Sequence, residues 1–132
     1  MTSNRSPFRS WNGVEPYELY EGVRLHAIGG EQVLVCRVTY DPGTRVPRHS
    51  HPEAEQLMVI LDGAIEITSN GETHVMRPGD VACFNRGVEH ELYSEGGVTF
   101  FEALSPVPLD HVPDRERDLV LGPDGGSQHV ER

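Results

Sequence analysis

Short apolar runs, each closed by Gly, Pro, Asn or Asp, constrain this chain more than any other feature of it. Residues 23–28 alternate in polarity and stop at Gly29-Gly30. Residues 32–40 are rich in β-branched side chains and stop at Asp41-Pro42-Gly43. Residues 56–61 end at Asp62-Gly63, 64–68 at Ser69-Asn70-Gly71, and 72–76 at Pro78-Gly79-Asp80. Residues 81–84, 90–94 and 98–104 complete the series. Period-two patterning between turn residues is the signature of half-buried strands, and Asp-Gly and Asn-Gly are hairpin signals. No capped stretch with a 3.6-residue period interrupts it. About eight or nine strands are predicted, hence an all-β sandwich or barrel. The 14 Gly and 10 Pro belong to the same reading, since many short strands need many tight turns.

The 132 residues suit one domain. Residues 1–16 read as an N-terminal arm, polar and broken by Pro7 and Pro16, with Phe8 and Trp11 as anchors. Residues 17–106 hold the barrel, and 107–132 an extended tail rich in Pro and Gly. A formal charge of −10 argues against a phosphate backbone as partner and against an anionic membrane surface. All 11 cationic residues are arginine, so imine chemistry through a lysine is excluded. Cys36 and Cys83 both lie in apolar stretches and are expected as buried thiols. Residues 1–10 lack an apolar core of the signal-peptide kind and no run approaches a membrane span, so a cytoplasmic protein is expected.

Three histidines carry the chemistry. His49 and His51 follow the Asp41-Pro42-Gly43 turn, and His90 stands 34 positions after Gln56, in Gly87-Val88-Glu89-His90. On one extended strand, residues two apart share a face, so His49 and His51 are expected to point together. A third imidazole from a distant hairpin, with one oxygen donor, would make an open site for a divalent metal. The bland alternative is a pair of solvated turn histidines.

With those residues in hand, the chain resembles the cupin superfamily in its small single-domain form. The first cupin motif is matched by Gly43, His49-Ser50-His51, Gln56 and Gly63, with Gln56 where the motif carries Glu. The second is matched by Gly79, Gly87 and His90, with Asn85 in place of Pro and Ser94 in place of Asn. The resemblance implies a double-stranded β-helix, or jelly-roll, and one divalent metal per chain (Zn, Fe, Ni or Mn) on His49, His51, Gln56 and His90. Glu55 competes with Gln56; the six-residue run to Gly63 selects Gln56, and Glu55 would need seven. A neutral glutamine leaves more net charge on the metal than a glutamate would, strengthening its Lewis acidity. Pairing of small cupins into homodimers is implied too.

Alternation on residues 98–104 places Phe100, Glu102 and Leu104 on one face. Turned inward, Glu102 is a carboxylate in an apolar pocket with Met58, Ile60 and Leu92, a candidate catalytic base whose pKa burial would raise. Turned to the rim, it is a carboxylate bonded to an arginine; both readings stand. Met58, Ile60, Phe84, Leu92, Phe100 and Leu104 are the expected substrate pocket. His26 is read as an ordinary part-buried residue rather than a fourth nitrogen donor, and His74, His111 and His129 as solvated.

Among small cupins the chain is similar to two kinds. One processes unsaturated uronates, but here Leu104 and Pro108 stand near Ser105-Pro106 where that kind has Phe and Arg, so the clamp for a substrate carboxylate is missing. The other comprises polyketide cyclases with mainly apolar cavities. The resemblance implies a metal-dependent isomerase, cyclase or lyase acting as a Lewis acid on a small carbonyl or hydroxyl substrate. An iron-dependent dioxygenase and a non-catalytic ligand-binding barrel are the alternatives.

Overall fold

The computed structural model describes residues 7–12, 16–107, 118–120 and 127–129. Ten strands run through the central segment: β1 (Tyr17–Tyr20), β2 (Val23–Gly29), β3 (Leu34–Tyr40), β4 (Thr44–His49) and β5 (Glu55–Gly63). They continue as β6 (Ile65–Ser69), β7 (Glu72–Met76), β8 (Val81–Phe84), β9 (His90–Ser94) and β10 (Val98–Ser105). Among the described residues of the tail, β11 (Asp118–Val120) and β12 (Ser127–His129) pair with one another in a short antiparallel element. His111 lies outside the described residues.

Six strands form one antiparallel sheet in the order β1-β2-β3-β10-β5-β8, and four form a second in the order β4-β9-β6-β7. Non-sequential neighbours in both sheets give the jelly-roll. Alternation decides what lies between them: β2 and β3 bury Val23, Leu25, Ala27, Leu34, Cys36 and Val38, and β5 buries Gln56, Met58 and Ile60. From the smaller sheet, Val46, Ile65, Ile67 and Leu92 close the core. The opposite face of β2 and β3 carries Arg24, His26 and Arg37. His26 is thereby turned away from the interior.

Two features of the outer surface bear on expectations from the sequence. Trp11 stacks on Phe101 of β10 at 5.3 Å, so the arm is anchored there, whereas Phe8 is 87% exposed. Cys36 is buried as expected, but Cys83 is exposed. Its position in a short edge strand gives the reason. On β8 the inward residues are Ala82 and Phe84, so the residue between them must face out. Two strands also separate β3 from β8, so the thiols are not neighbours.

Gly63 and Gly43 make a test of the frame. Both have positive φ, +78° and +81°. A Cβ on Gly43 meets nothing within 4 Å, while one on Gly63 collides with the Gly97 carbonyl oxygen and lies 2.9 Å from Val98 Cα. Gly43→Ala is therefore expected to cost about 1 kcal/mol, the left-handed backbone penalty alone. Gly63→Ala is expected to cost about 3 kcal/mol or more in urea unfolding, because backbone cannot step aside as a side chain can.

Candidate metal centre

His49 reaches the interior through a break in strand pairing. Thr44 and Val46 of β4 are buried and Arg45 and Pro47 exposed, so strict alternation would turn Arg48 inward and His49 out. Pro47 has no N–H to give to the ladder, and β4 is an edge strand, where a proline is tolerated. The register with β9 shifts between Val46↔Leu92 and His49↔His90, which inserts one extra residue on β4. Such a bulge reverses the facing of everything after it. Arg48 goes to the surface beside Glu89 and Glu91, and His49 comes opposite His90.

His51 lies beyond the strand, in the loop before β5, so the shared face expected from alternation is not what joins the pair. The loop is held instead through the backbone carbonyl of His51, which accepts from the amides of Gly87 (3.1 Å) and Ala54 (3.4 Å). Gly87, at φ +80°, belongs to the turn leading to His90, so one hydrogen bond ties the two histidine-bearing segments together. Ser94, at the position where the second motif has Asn, is buried and donates to the Ala64 carbonyl at 2.7 Å.

Together, His49, His51 and His90 bring one ring nitrogen each to within 4.8 Å of the others. The rings of His49 and His90 are 4.4 Å apart between centroids, and Phe84 stacks on His90 at 4.2 Å and 14°. His49 Nδ1 lies 2.8 Å from the Pro47 carbonyl, and His90 Nδ1 3.0 Å from the Val88 carbonyl. A carbonyl only accepts, so both Nδ1 atoms carry a proton, and in the neutral ring that leaves the lone pair on Nε2. This is the second-shell arrangement that orients a ligating imidazole. Burial, and then the neighbouring His49, push the pKa of His90 down to about 4, so it is neutral at pH 7.

Gln56 is 2% exposed, whereas Glu55 is exposed and turned toward Cys83 at 4.0 Å. The amide nitrogen of Gln56 donates to Glu102 Oε1. Among the buried side-chain polar atoms left without a hydrogen-bond partner are Gln56 Oε1 and His90 Nε2. Stranded acceptors of this kind are rare in a folded interior. Both are donors of the type a divalent ion takes, so the residues present fit a metal with three nitrogens and one carbonyl oxygen.

Glu102 faces inward on β10, its register neighbours being Cys36 and Met58. Of the two readings left by the sequence, the structure has the inward one, bonded to Gln56 rather than to an arginine. Burial raises its pKa to about 7, and the Gln56 hydrogen bond draws it back. Burial and the Glu102 charge also raise the Cys36 thiol and the Tyr40 phenol, so both stay protonated at neutral pH.

Met58, Ile60, Leu92, Phe100 and Leu104 pack as core, each 4% exposed or less. Phe84 also lines an open cleft of about 280 Å³ between the β6–β7 hairpin and β8, floored by Ile67, Met76 and Ala82. The bulge at Pro47 was the device not read from the sequence. Its signal was present, since a proline within a strand marks an edge or a bulge.

Two antiparallel sheets closed around converging imidazoles define a small jelly-roll barrel with a candidate metal site. The chain belongs to the cupin family, its residues 36–103 matching the Cupin domain. Germin-like protein 9-3 from Oryza sativa subsp. japonica is 29% identical over 75 residues, 53% of this chain and 35% of that protein. The chain thus spans about a third of that relative's length. A solved RmlC-like cupin from Shewanella frigidimarina superposes with a TM-score of 0.73 at 18% identity, covering 82% of this chain and 97% of that one. A sugar phosphate isomerase of the cupin superfamily from Silicibacter pomeroyi gives 0.68 at 23%, covering 77% of each. Among the described residues no helix is long and apolar enough to cross a membrane.

The two shifted groups pull stability in opposite directions in chelator-treated protein. Glu102 at about 7, against an ordinary 4.5, holds a proton that the unfolded chain releases, so its contribution is lost as pH rises across that window. His90 at about 4, against 6.5, stays neutral where the unfolded chain protonates, so its contribution is lost as pH falls from 6.5 to 4. Each is worth up to roughly 3 kcal/mol, and they offset between about pH 4.5 and 6.5. Glu102→Gln should leave the His90 effect alone and gain stability steeply over that range, read by urea unfolding at a series of pH values. A wild type rising as steeply as the variant would show that Glu102 is not held protonated.

Proposed function

We propose that this protein is a metal-dependent enzyme of the isomerase, cyclase or lyase type, acting on a small carbonyl or hydroxyl substrate. One divalent ion per chain is held by His49, His51, His90 and Gln56. The observation that carries this reading is the pair of buried acceptors without partners, His90 Nε2 and Gln56 Oε1, in a barrel that also converges His49 and His51. An ion bound there supplies Lewis acidity toward a substrate carbonyl. With four neutral donors, none of its charge is cancelled by a ligand.

Proton movement falls to Glu102. A carboxylate with a pKa near 7 takes a proton and returns it at neutral pH, as enolisation or elimination requires. In sequence, Leu104 and Pro108 stand near Ser105-Pro106 where uronate-processing small cupins have Phe and Arg, so the clamp for a substrate carboxylate is missing, which favours a polyketide-like substrate over a uronate. A sugar phosphate isomerase among the fold neighbours is an enzyme of the same class on the same barrel.

A homodimer completes the proposal. On the outer face of the larger sheet Leu57, Val59, Leu61 and Val81 are 37–55% exposed, and β5 sets Val59 against Val81. A second copy of this face is the self-complementary cover a two-fold pair provides. Val59→Arg with Val81→Arg is expected to halve the mass seen by light scattering without loss of metal; an unchanged mass would reject this face.

Metal content by mass spectrometry, on untagged protein prepared anaerobically, tests the centre. About one ion per wild-type chain, lost from His49→Ala and Gln56→Ala, is the expected outcome. Zinc, nickel or manganese would support the Lewis-acid reading, and iron would move the proposal to dioxygen chemistry. A wild type that holds no metal and refuses added metal would leave a ligand-binding barrel.

A further inference from the structure

The carboxamide of Gln56 has two ends of nearly equal size and opposite character, an acceptor oxygen and a donor NH₂. Only the oxygen end serves a metal cation. An isolated glutamine has little reason to choose one orientation, since the terminal torsion of its side chain is broad and roughly two-fold. Here Glu102 Oε1 accepts from Gln56 Nε2, and Oε1 of the amide is the end left buried and unpartnered. Ionised Glu102 has no proton to give, so beside the carboxylate the flipped amide would set oxygen against oxygen in a buried place.

The placement follows from the sheet. Gln56 and Met58 share the inner face of β5, Met58 pairs with Glu102, and Gln56 pairs with Leu104, which makes Gln56 and Glu102 diagonal neighbours. On its other side Gln56 pairs with Phe84, the ring that stacks on His90. The amide thus stands between a carboxylate on β10 and the aromatic support of one imidazole.

We propose that Glu102 is the positioning residue for the Gln56 carbonyl: it holds the amide nitrogen so that the oxygen alone is presented as the fourth donor beside His49, His51 and His90. This rests on the metal centre proposed above and adds a reason for its glutamine. With Glu102 fixed on the next strand, a glutamate at position 56 would bury two facing carboxylates. The donor-and-acceptor pair of Gln56 with Glu102 keeps one carboxylate in that space, behind the ligand rather than on it.

The test is Co²⁺ affinity, measured by competition against a chelating dye and by the visible spectrum of the bound ion, with circular dichroism to confirm the fold. Glu102→Met removes the acceptor in a similar volume and is expected to weaken binding about tenfold or more, the usual range for loss of a ligand's outer partner. Glu102→Gln keeps an acceptor oxygen but permits both amides to flip together. Half the population then presents the wrong end, so binding should weaken only about twofold. In a Gln56→Met background, Glu102→Met should change metal affinity no further, because Glu102 acts on the ion only through Gln56.

Wild-type protein that fails to bind Co²⁺ would overturn the metal centre itself. Wild-type binding that Glu102→Met leaves unchanged would overturn only the positioning role. An equal loss from Glu102→Met with and without Gln56 would show direct action on the ion, and would also overturn it.

Discussion

Strand β10 lies between β3 and β5 and pairs with both along its length, and the organisation of the interior depends on that double pairing. A strand hydrogen-bonded on both sides has no freedom to slip, since a shift of one residue would send Phe100 and Leu104 to the surface and bring Phe101 inside. The same constraint fixes Glu102 among Cys36, Met58 and Gln56. A carboxylate is costly there, which raises its pKa, and the Gln56 amide offsets part of that cost.

The smaller sheet works by an interruption. A continuous ladder between β4 and β9 would point Arg48 inward and leave His90 without His49 opposite. Pro47, unable to donate, sits where the ladder breaks, and the extra residue turns His49 to the interior. The larger sheet supplies Gln56 and Glu102 from the regular run of β10 against β5 that follows its register shift at Thr99/Phe100, and the smaller one supplies the imidazoles through a defect. Backbone carbonyls of Pro47 and Val88 set the tautomers of His49 and His90 as a by-product of the same turns.

Much of this was legible in the chain. The turn residues marked most strand ends to within two positions, as at Gly29, Tyr40, Met76 and Phe84. The motif spacing to Gly63 chose Gln56 over Glu55, and alternation grouped Glu102 with Phe100 and Leu104, because the side-chain period of a strand is a local property of backbone geometry. Cys83 misled, since an apolar neighbourhood in sequence does not say which face of an edge strand is covered. The pocket residues Met58, Ile60 and Leu92 are apolar and inward, but a composition cannot tell a lined cavity from a filled core.

By itself, then, the sequence determined the strands, the all-β class and the residue types available for a metal, each written in short-range periodicity and turn chemistry. Tertiary structure alone decided that His49, His51 and His90 meet, because their convergence depends on the pairing of β4 with β9 across a separation of 41 positions (90 − 49) and on a bulge. It alone joined Gln56 to Glu102 as well. That contact spans 46 residues and arises from the register between two strands, which no local rule encodes.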